Sequence, residues 1–378
     1  MAGIYIHIPY CRQKCHYCNF YSVASTKFMP EVASAIAREA ALQKRYLDGA
    51  MINSVYFGGG TPSLFNQSYL SGIIDAISAN FVLSGDAEIT LEANPDDVNN
   101  TNLNAWKNLG INRLSMGVQS FRDEDLRYLN RIHTGSKALE CIDLAQDNGF
   151  ENLTIDLIYG FPVLSDKAWL DNLQKVIGRN IPHLSAYALT VEPRTALDVM
   201  IRKGKIAPVE EGQAVRHFEL LMEAMINAGY LHYEISNFCK PDRYARHNTA
   251  YWKGEPYLGL GPSAHSFNGG SRQWNMSGIG EYLQAIESEK IPHDIEILEI
   301  SQQYNEYVMT GLRTMWGCLE SEIALRFGKD YLNHFRKGIA KYMASGHILK
   351  DHEVYILTNK GKLMADGIAA DLFADDGL

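Results

Sequence analysis

The chain is short of positive charge, of cysteine and of long apolar runs, and each shortage narrows what it can be. Lys and Arg number 35 against 44 Asp and Glu, giving a net charge of -9 and a pI near 5.8. Polyanion binding normally needs clustered cations, so nucleic acid is not expected as a partner. No stretch of the 378 residues approaches the roughly 20 uninterrupted apolar residues of a bilayer span. The opening MAGIYIHIPYC has no basic start followed by an apolar signal core, so the expectation is a chain that does not span a membrane and stays in the cytoplasm. Six cysteines are too few for a disulfide scaffold in a chain of this size. Three of them crowd into eight residues while Cys141, Cys239 and Cys318 stand alone, which fits reduced thiols with a metal role.

The 46% of hydrophobic residues suffices for a large core. β-rich runs at Ile4–Ile8, Ile52–Phe57, Glu88–Glu92, Arg113–Val118, Leu153–Ile158 and Leu184–Leu189 alternate with helical patterns at Glu31–Leu47, Ser68–Ala79, Thr101–Asn108, Ser136–Asp147 and Lys167–Ile177. Gly110 and Gly149 stand where helices stop. Alternating strand and helix predicts a parallel sheet covered by helices, here a partial (β/α)6 barrel over residues 1–235, with the functional face at the C-terminal ends of its strands. Residues 236–299 include a Gly-, Asn- and Trp-rich stretch from His247 to Trp274 with little periodicity, expected to connect elements and line a site. Residues 300–378 read as a small α+β domain of winged-helix type with a two-stranded wing.

Cys11, Cys15 and Cys18 leave the first strand with the spacing C-x3-C-x2-C. A structural zinc site wants four ligands, and no further C-x2-C follows nearby, although His7 or His16 could be recruited. A four-iron cubane held by three thiolates keeps one iron open to an exogenous chelating ligand. Other strand exits carry unusual chemistry. Gly58-Gly59-Gly60-Thr61 lets a backbone pass close to a ligand, Glu92 and Asp156 are carboxylates among apolar neighbours, and the Gln119 amide can both donate and accept. A salt bridge from Glu92 to Arg113 is the structural alternative for that carboxylate.

These ordered motifs resemble the radical S-adenosylmethionine superfamily, and within it the branch of oxygen-independent coproporphyrinogen III oxidase and its relatives. The likeness runs from Tyr5 to Leu189, resumes at Gly259–Ser266 and is weak in the tail. It implies a [4Fe-4S] cluster on Cys11, Cys15 and Cys18, whose open iron chelates S-adenosylmethionine and whose electron splits the sulfonium. It also implies cofactor contacts at Tyr5, Tyr17, Gly59, Gly60, Thr61, Glu92, Gln119, Arg131, Asp156 and Ala188, and at His265, where the oxidase pattern has an aliphatic residue. Arg131 is expected to supply a charge to Asp156.

Two features separate the branches. Phe20 stands where the oxidases have a further cysteine, and His247-Asn248-Thr249-Ala250-Tyr251-Trp252 resembles the H-N-x-x-Y-W mark of haem chaperones. The resemblance therefore implies haem as a third cofactor, with His247 as its expected iron ligand and His7, His217, His232 and His265 as substitutes. The implied function is transfer of haem to an acceptor protein, a membrane respiratory complex being one candidate. The alternative is a coproporphyrinogen III dehydrogenase acting in porphyrin biosynthesis. A cluster-bearing scaffold whose tail docks on a membrane complex is a third reading.

Overall fold

The computed structural model describes residues 1–375. Its main sheet contains β1 (Ala2–Ile8), β2 (Ile52–Gly59), β3 (Leu83–Ala93), β4 (Arg113–Gln119), β5 (Asn152–Tyr159) and β6 (His183–Ala188), side by side and parallel. All six expected strands are there. The helix Met29–Leu42 after β1 starts without a side-chain cap, whereas each of the next four connections has a helix that begins at one: Asn66, Asn99, Thr134 and Ser165 each accept a hydrogen bond from a backbone N–H three residues on. Gly110 and Gly149 end helices with φ of +82° and +79°, a left-handed turn that glycine adopts without strain.

The sheet is wider than six strands. β7 (Leu231–Glu234) and β8 (Asn237–Cys239) extend it antiparallel beyond β6. On the other side β9 (Tyr257–Leu260) lies parallel to β1, followed by antiparallel β10 (His265–Phe267), β11 (Ser271–Asn275) and β12 (His293–Ile297). The order β12-β11-β10-β9-β1-β2-β3-β4-β5-β6-β8-β7 has two free ends, so the arc does not close. The segment expected as a connector, 236–299, is thus two helices (Arg246–Trp252 and Ile279–Glu287) and part of the sheet, and one core runs from Ala2 to Ile286 through both regions. Its strands have three to five residues, too short to show an alternating pattern. Glu39 ties it down: this buried carboxylate accepts hydrogen bonds from Tyr282 Oη (2.6 Å), Asn275 Nδ2 (2.6 Å) and Gly261 N (2.8 Å).

A second core, Tyr304 to Ala374, belongs to the C-terminal unit. Its element order is helix (Ile300–Leu312), β13 (Cys318–Leu319), helices Glu320–Arg326 and Lys329–Ala344, the hairpin β14 (Ile348–Asp351) and β15 (Val354–Leu357), then helices Asn359–Lys362 and Ala365–Asp371. The three strands form one antiparallel sheet in the order β13-β15-β14. Among the described residues, no helix is long and apolar enough to cross a membrane.

Candidate functional site

A cavity of about 470 Å³ opens at the C-terminal ends of the parallel strands. Thirteen of the fifteen residues named above as site residues line it, His247 and His265 being the two that do not. The three thiols sit on the loop after β1, all partly exposed and none in a disulfide. That loop is anchored from the far side. Gln13 Nε2 donates to Asn130 Oδ1 (2.8 Å), Asn130 Nδ2 donates to the Lys14 carbonyl (2.9 Å), and His16 Nδ1 meets the Tyr128 carbonyl (3.0 Å). Arg12 pairs with buried Asp97 at 2.6 Å, and Asp97 also takes Ser63 Oγ at 2.8 Å.

The thiols meet donors rather than a fourth protein ligand. Arg131 Nη1 donates to Cys15 Sγ at 3.4 Å, and Thr61 Oγ1 approaches Cys11 Sγ at 3.7 Å. Burial pushes the Cys18 pKa up, and the nearby Cys15 and Cys11 add to the rise. Bound iron cations would reverse that penalty. Among the described residues no three His, Cys, Asp or Glu side chains gather closely enough for one metal ion. A cubane instead gives each thiolate its own iron, so the thiols fit a cluster whose outer face looks into the cavity.

Glycines bring the β2 exit up to this wall. Gly59 has a φ of +111°, and a Cβ there would lie 2.8 Å from the His7 ring. A Cβ on Gly60 would lie 2.5 Å from the Tyr10 carbonyl oxygen, a backbone atom that cannot swing away. Gly60→Ala is accordingly expected to cost about 1–3 kcal/mol by overpacking and to lower iron retention, read from denaturation midpoints and iron content. An unchanged midpoint would show that this turn has room to spare.

Glu92 and Asp156 face the cavity without a cation at ion-pair distance. Glu92 accepts from Tyr56 Oη (2.8 Å) and from the Gly59 N–H (3.2 Å), and Asp156 accepts from Ser115 Oγ (3.2 Å). Arg113, the alternative partner for Glu92, instead pairs with Glu88 at 3.5 Å and donates to Thr154 Oγ1 at 2.8 Å in the interior. Arg131 is likewise not bound to Asp156, because its guanidinium also serves Asn94 Oδ1 (2.7 Å) and the Gly117 carbonyl (2.6 Å). Burial pushes Glu92 up to about 7 and Asp156 up to about 6. Two carboxylates held ready for a cation not supplied by the protein suit a ligand that carries an ammonium or hydroxyl donors. Gln119 takes a φ of +68° at the end of β4, and Tyr5, Tyr17 and Ala188 complete the lining. Sequence reasoning missed Tyr56, Asn94, Ser115 and Tyr187, which also line the cavity, as does Asn248 of the H-N-x-x-Y-W run.

The histidines correct the expectation about iron ligation. His247 is 2% exposed, sits under β1 and β2, and has both ring nitrogens engaged, Nδ1 with Ser54 Oγ (2.8 Å) and Nε2 with Tyr251 Oη (3.2 Å). Its ring stacks on Tyr56 with centroids 5.1 Å apart, and burial pushes its pKa down to about 3. With both ring nitrogens engaged and the ring buried, His247 stands in this structure as a pillar beneath the cavity floor. His7 is engaged by Tyr5 Oη and the Tyr21 carbonyl, His217 by the Gly160 N–H and Asp166, and His232 by the Ile235 carbonyl and Lys362. His265 is exposed at the start of β10 with its ring 6.3 Å from that of Trp274, outside the cavity lining.

A parallel strand array with three thiols after the first strand and a glycine turn after the second defines a radical S-adenosylmethionine class of protein. The family model for the radical SAM superfamily matches residues 5–176. The heme chaperone HemW of Bacillus subtilis is 31% identical over 97% of this chain and 98% of its own length. HemW of Escherichia coli is 36% identical over 70% of this chain and 69% of its own. The solved coproporphyrinogen III oxidase HemN of Escherichia coli superposes with a TM-score of 0.85 at 24% identity, covering 99% of this chain and 90% of that one, which establishes the shared fold. The chain belongs to the HemW family of the radical SAM superfamily.

Proposed function

We propose that this protein is a haem chaperone: it holds a [4Fe-4S] cluster with exchangeable S-adenosylmethionine in the cavity, binds haem, and passes haem to an acceptor protein in the cytoplasm or at a membrane respiratory complex. The observation that carries the reading is Phe20. It lies at the cavity mouth, 66% exposed, at the position where the oxidases that this chain resembles have a cysteine. A phenyl ring cannot ligate, move a proton or give up a hydrogen atom as a thiol can, so any step that needs that group is missing. The likeness to curated heme chaperones along the whole chain supports the same choice.

Within this reading Cys11, Cys15 and Cys18 hold three irons and leave the fourth for the amino and carboxylate groups of S-adenosylmethionine. When bound, the cluster supplies one electron at that open site. Arg131 and Thr61 steady the thiolates, and Gly59 and Gly60 allow close approach of the ligand. Glu92 and Asp156 take its hydrogen-bond donors, with Tyr5, Tyr17, Gln119 and Ala188 fixing its position.

The test is an anaerobic reconstitution of the full chain followed by two measurements. Haem titration should give a saturable Soret shift, and incubation with coproporphyrinogen III, S-adenosylmethionine and a strong reductant should give no protoporphyrinogen IX. Product formation, or complementation of an oxidase-deficient strain, would promote the enzyme reading over this one.

A further inference from the structure

A second cavity, of about 380 Å³, lies where the helix Arg246–Trp252 and strands β9 to β11 meet the C-terminal unit. Its walls are flat. Tyr251, Trp252, Tyr257 and Phe267 line one side, and Tyr307 and Trp316 the other. The rings of Tyr251 and Tyr257 meet edge to face with centroids 4.3 Å apart. Three cations join this lining: Lys253 with Nζ 4.6 Å from the Trp316 ring centre, Arg326 5.4 Å from that of Tyr307, and Arg272. Two carboxylates answer them, Glu306 at 2.9 Å from Arg272 and Glu322 at 3.8 Å from Arg326. The cavity therefore keeps one positive charge in surplus. Two of its residues also carry a buried donor without an acceptor, Trp252 at Nε1 and Arg272 at Nε.

We propose that this second cavity, between the aromatic helix Arg246–Trp252 and the C-terminal unit, is where haem binds, with its macrocycle against the aromatic walls and its propionates toward Lys253, Arg272 and Arg326. The location rests on the haem-chaperone reading above and adds to it. A flat apolar disc edged by two carboxylates asks for broad aromatic faces beside a cationic rim, and the second cavity supplies both. The first cavity is committed to the thiol loop and its facing carboxylates, and burial already keeps Glu92 and Asp156 from easily bearing charge. The same burial penalty would fall on two propionates there. The H-N-x-x-Y-W run then makes sense as a partition: Asn248 lines the first cavity, Tyr251 and Trp252 line the second, and His247 stands between them with its Nε2 on Tyr251 Oη.

The experiment titrates the full chain with haem and with haem dimethyl ester, in which both carboxylates are masked. It compares the wild type with Lys253→Glu, Arg326→Glu and the pair combined. Both positions are exposed, so these changes leave the cores intact, and cluster reconstitution of each variant verifies that. The wild type should bind haem at least tenfold more tightly than the ester. Charge reversal should weaken haem at least tenfold and erase the preference over the ester. A Cys11→Ala, Cys15→Ala, Cys18→Ala triple variant should bind haem as the wild type does. Saturable haem binding that charge reversal leaves unchanged, or that the triple variant loses, overturns the location alone. Absence of saturable haem binding by the wild type overturns the chaperone reading and the location with it.

Discussion

Replacing Cys11, Cys15 or Cys18 by alanine is expected to abolish the iron cluster, leaving well under one of the roughly four irons per chain that the reconstituted wild type should hold. The three thiols come from one eight-residue loop, and each holds its own corner, so no neighbour can stand in. Among the other cysteines, Cys141 is buried with Sγ toward the Pro95 carbonyl (3.0 Å), Cys318 is buried in the C-terminal core, and Cys239 is buried in β8. Burial pushes the thiol pKa of Cys141 up to about 11 and that of Cys239 up to about 12. Such thiols resist becoming thiolates and are poor ligands. Alanine at any of these three should leave iron content and the cluster spectrum unchanged. Iron and sulfide analysis with electron paramagnetic resonance of the reduced protein makes the comparison, and a cluster that survives Cys15→Ala, or is lost in Cys239→Ala, would overturn the assignment.

Glu92→Gln should weaken S-adenosylmethionine binding roughly ten- to hundredfold, the loss of a charge-assisted hydrogen bond of about 1.5–3 kcal/mol. The same change should make the unliganded protein more stable, and only at the higher pH. Burial places the folded pKa of Glu92 at about 7, above the ordinary value of 4.5. A carboxyl raised in this way contributes stability that is complete below its unfolded pKa and is lost as pH rises through its folded one. Glutamine carries no such dependence. The variant's advantage should be small at pH 5 and reach about 1–3 kcal/mol at pH 8, measured by denaturant unfolding of the apoprotein. Asp156→Asn should follow the same pattern with a transition near pH 6, since burial raises that carboxyl to about 6. A carboxylate that only held the fold together would lose stability on substitution and leave affinity untouched, the opposite result.

The strand exits were legible because each carries polar or glycine residues where an apolar run stops, and the thiol spacing is specific. Six strands and five helices follow from such local signals, whereas among the thirteen cavity residues Tyr5, Tyr17, Arg131 and Ala188 came only from the family resemblance. What escaped reading depends on tertiary contact. Tyr56 and Ser115 point inward from strands in which any polar residue looks alike, and their role appears only when Glu92 and Asp156 arrive beside them from neighbouring strands. His247 was expected as a ligand from the resemblance of the H-N-x-x-Y-W run, whereas Ser54 and Tyr251 occupy its nitrogens from positions 193 residues before and 4 residues after it. The second cavity joins residues 251–272 to residues 303–326, and no motif within either stretch announces the other.

The place of β1 in the sheet sets the order in which the molecule becomes whole. Gly3–Ile6 pairs on one edge with β2, which follows soon after, and on the other with Tyr257–Leu260, which leaves the ribosome roughly 250 residues later. At about 5–20 residues per second that second edge stays bare for roughly 10–50 s of synthesis. The thiol loop hangs from this strand, yet His247, packed against Gly3 and Ser54 beneath the cavity floor, is made more than 200 residues later. Until β9 arrives, the nascent chain exposes an unpaired strand edge beside three free thiols to whatever guards unfinished proteins.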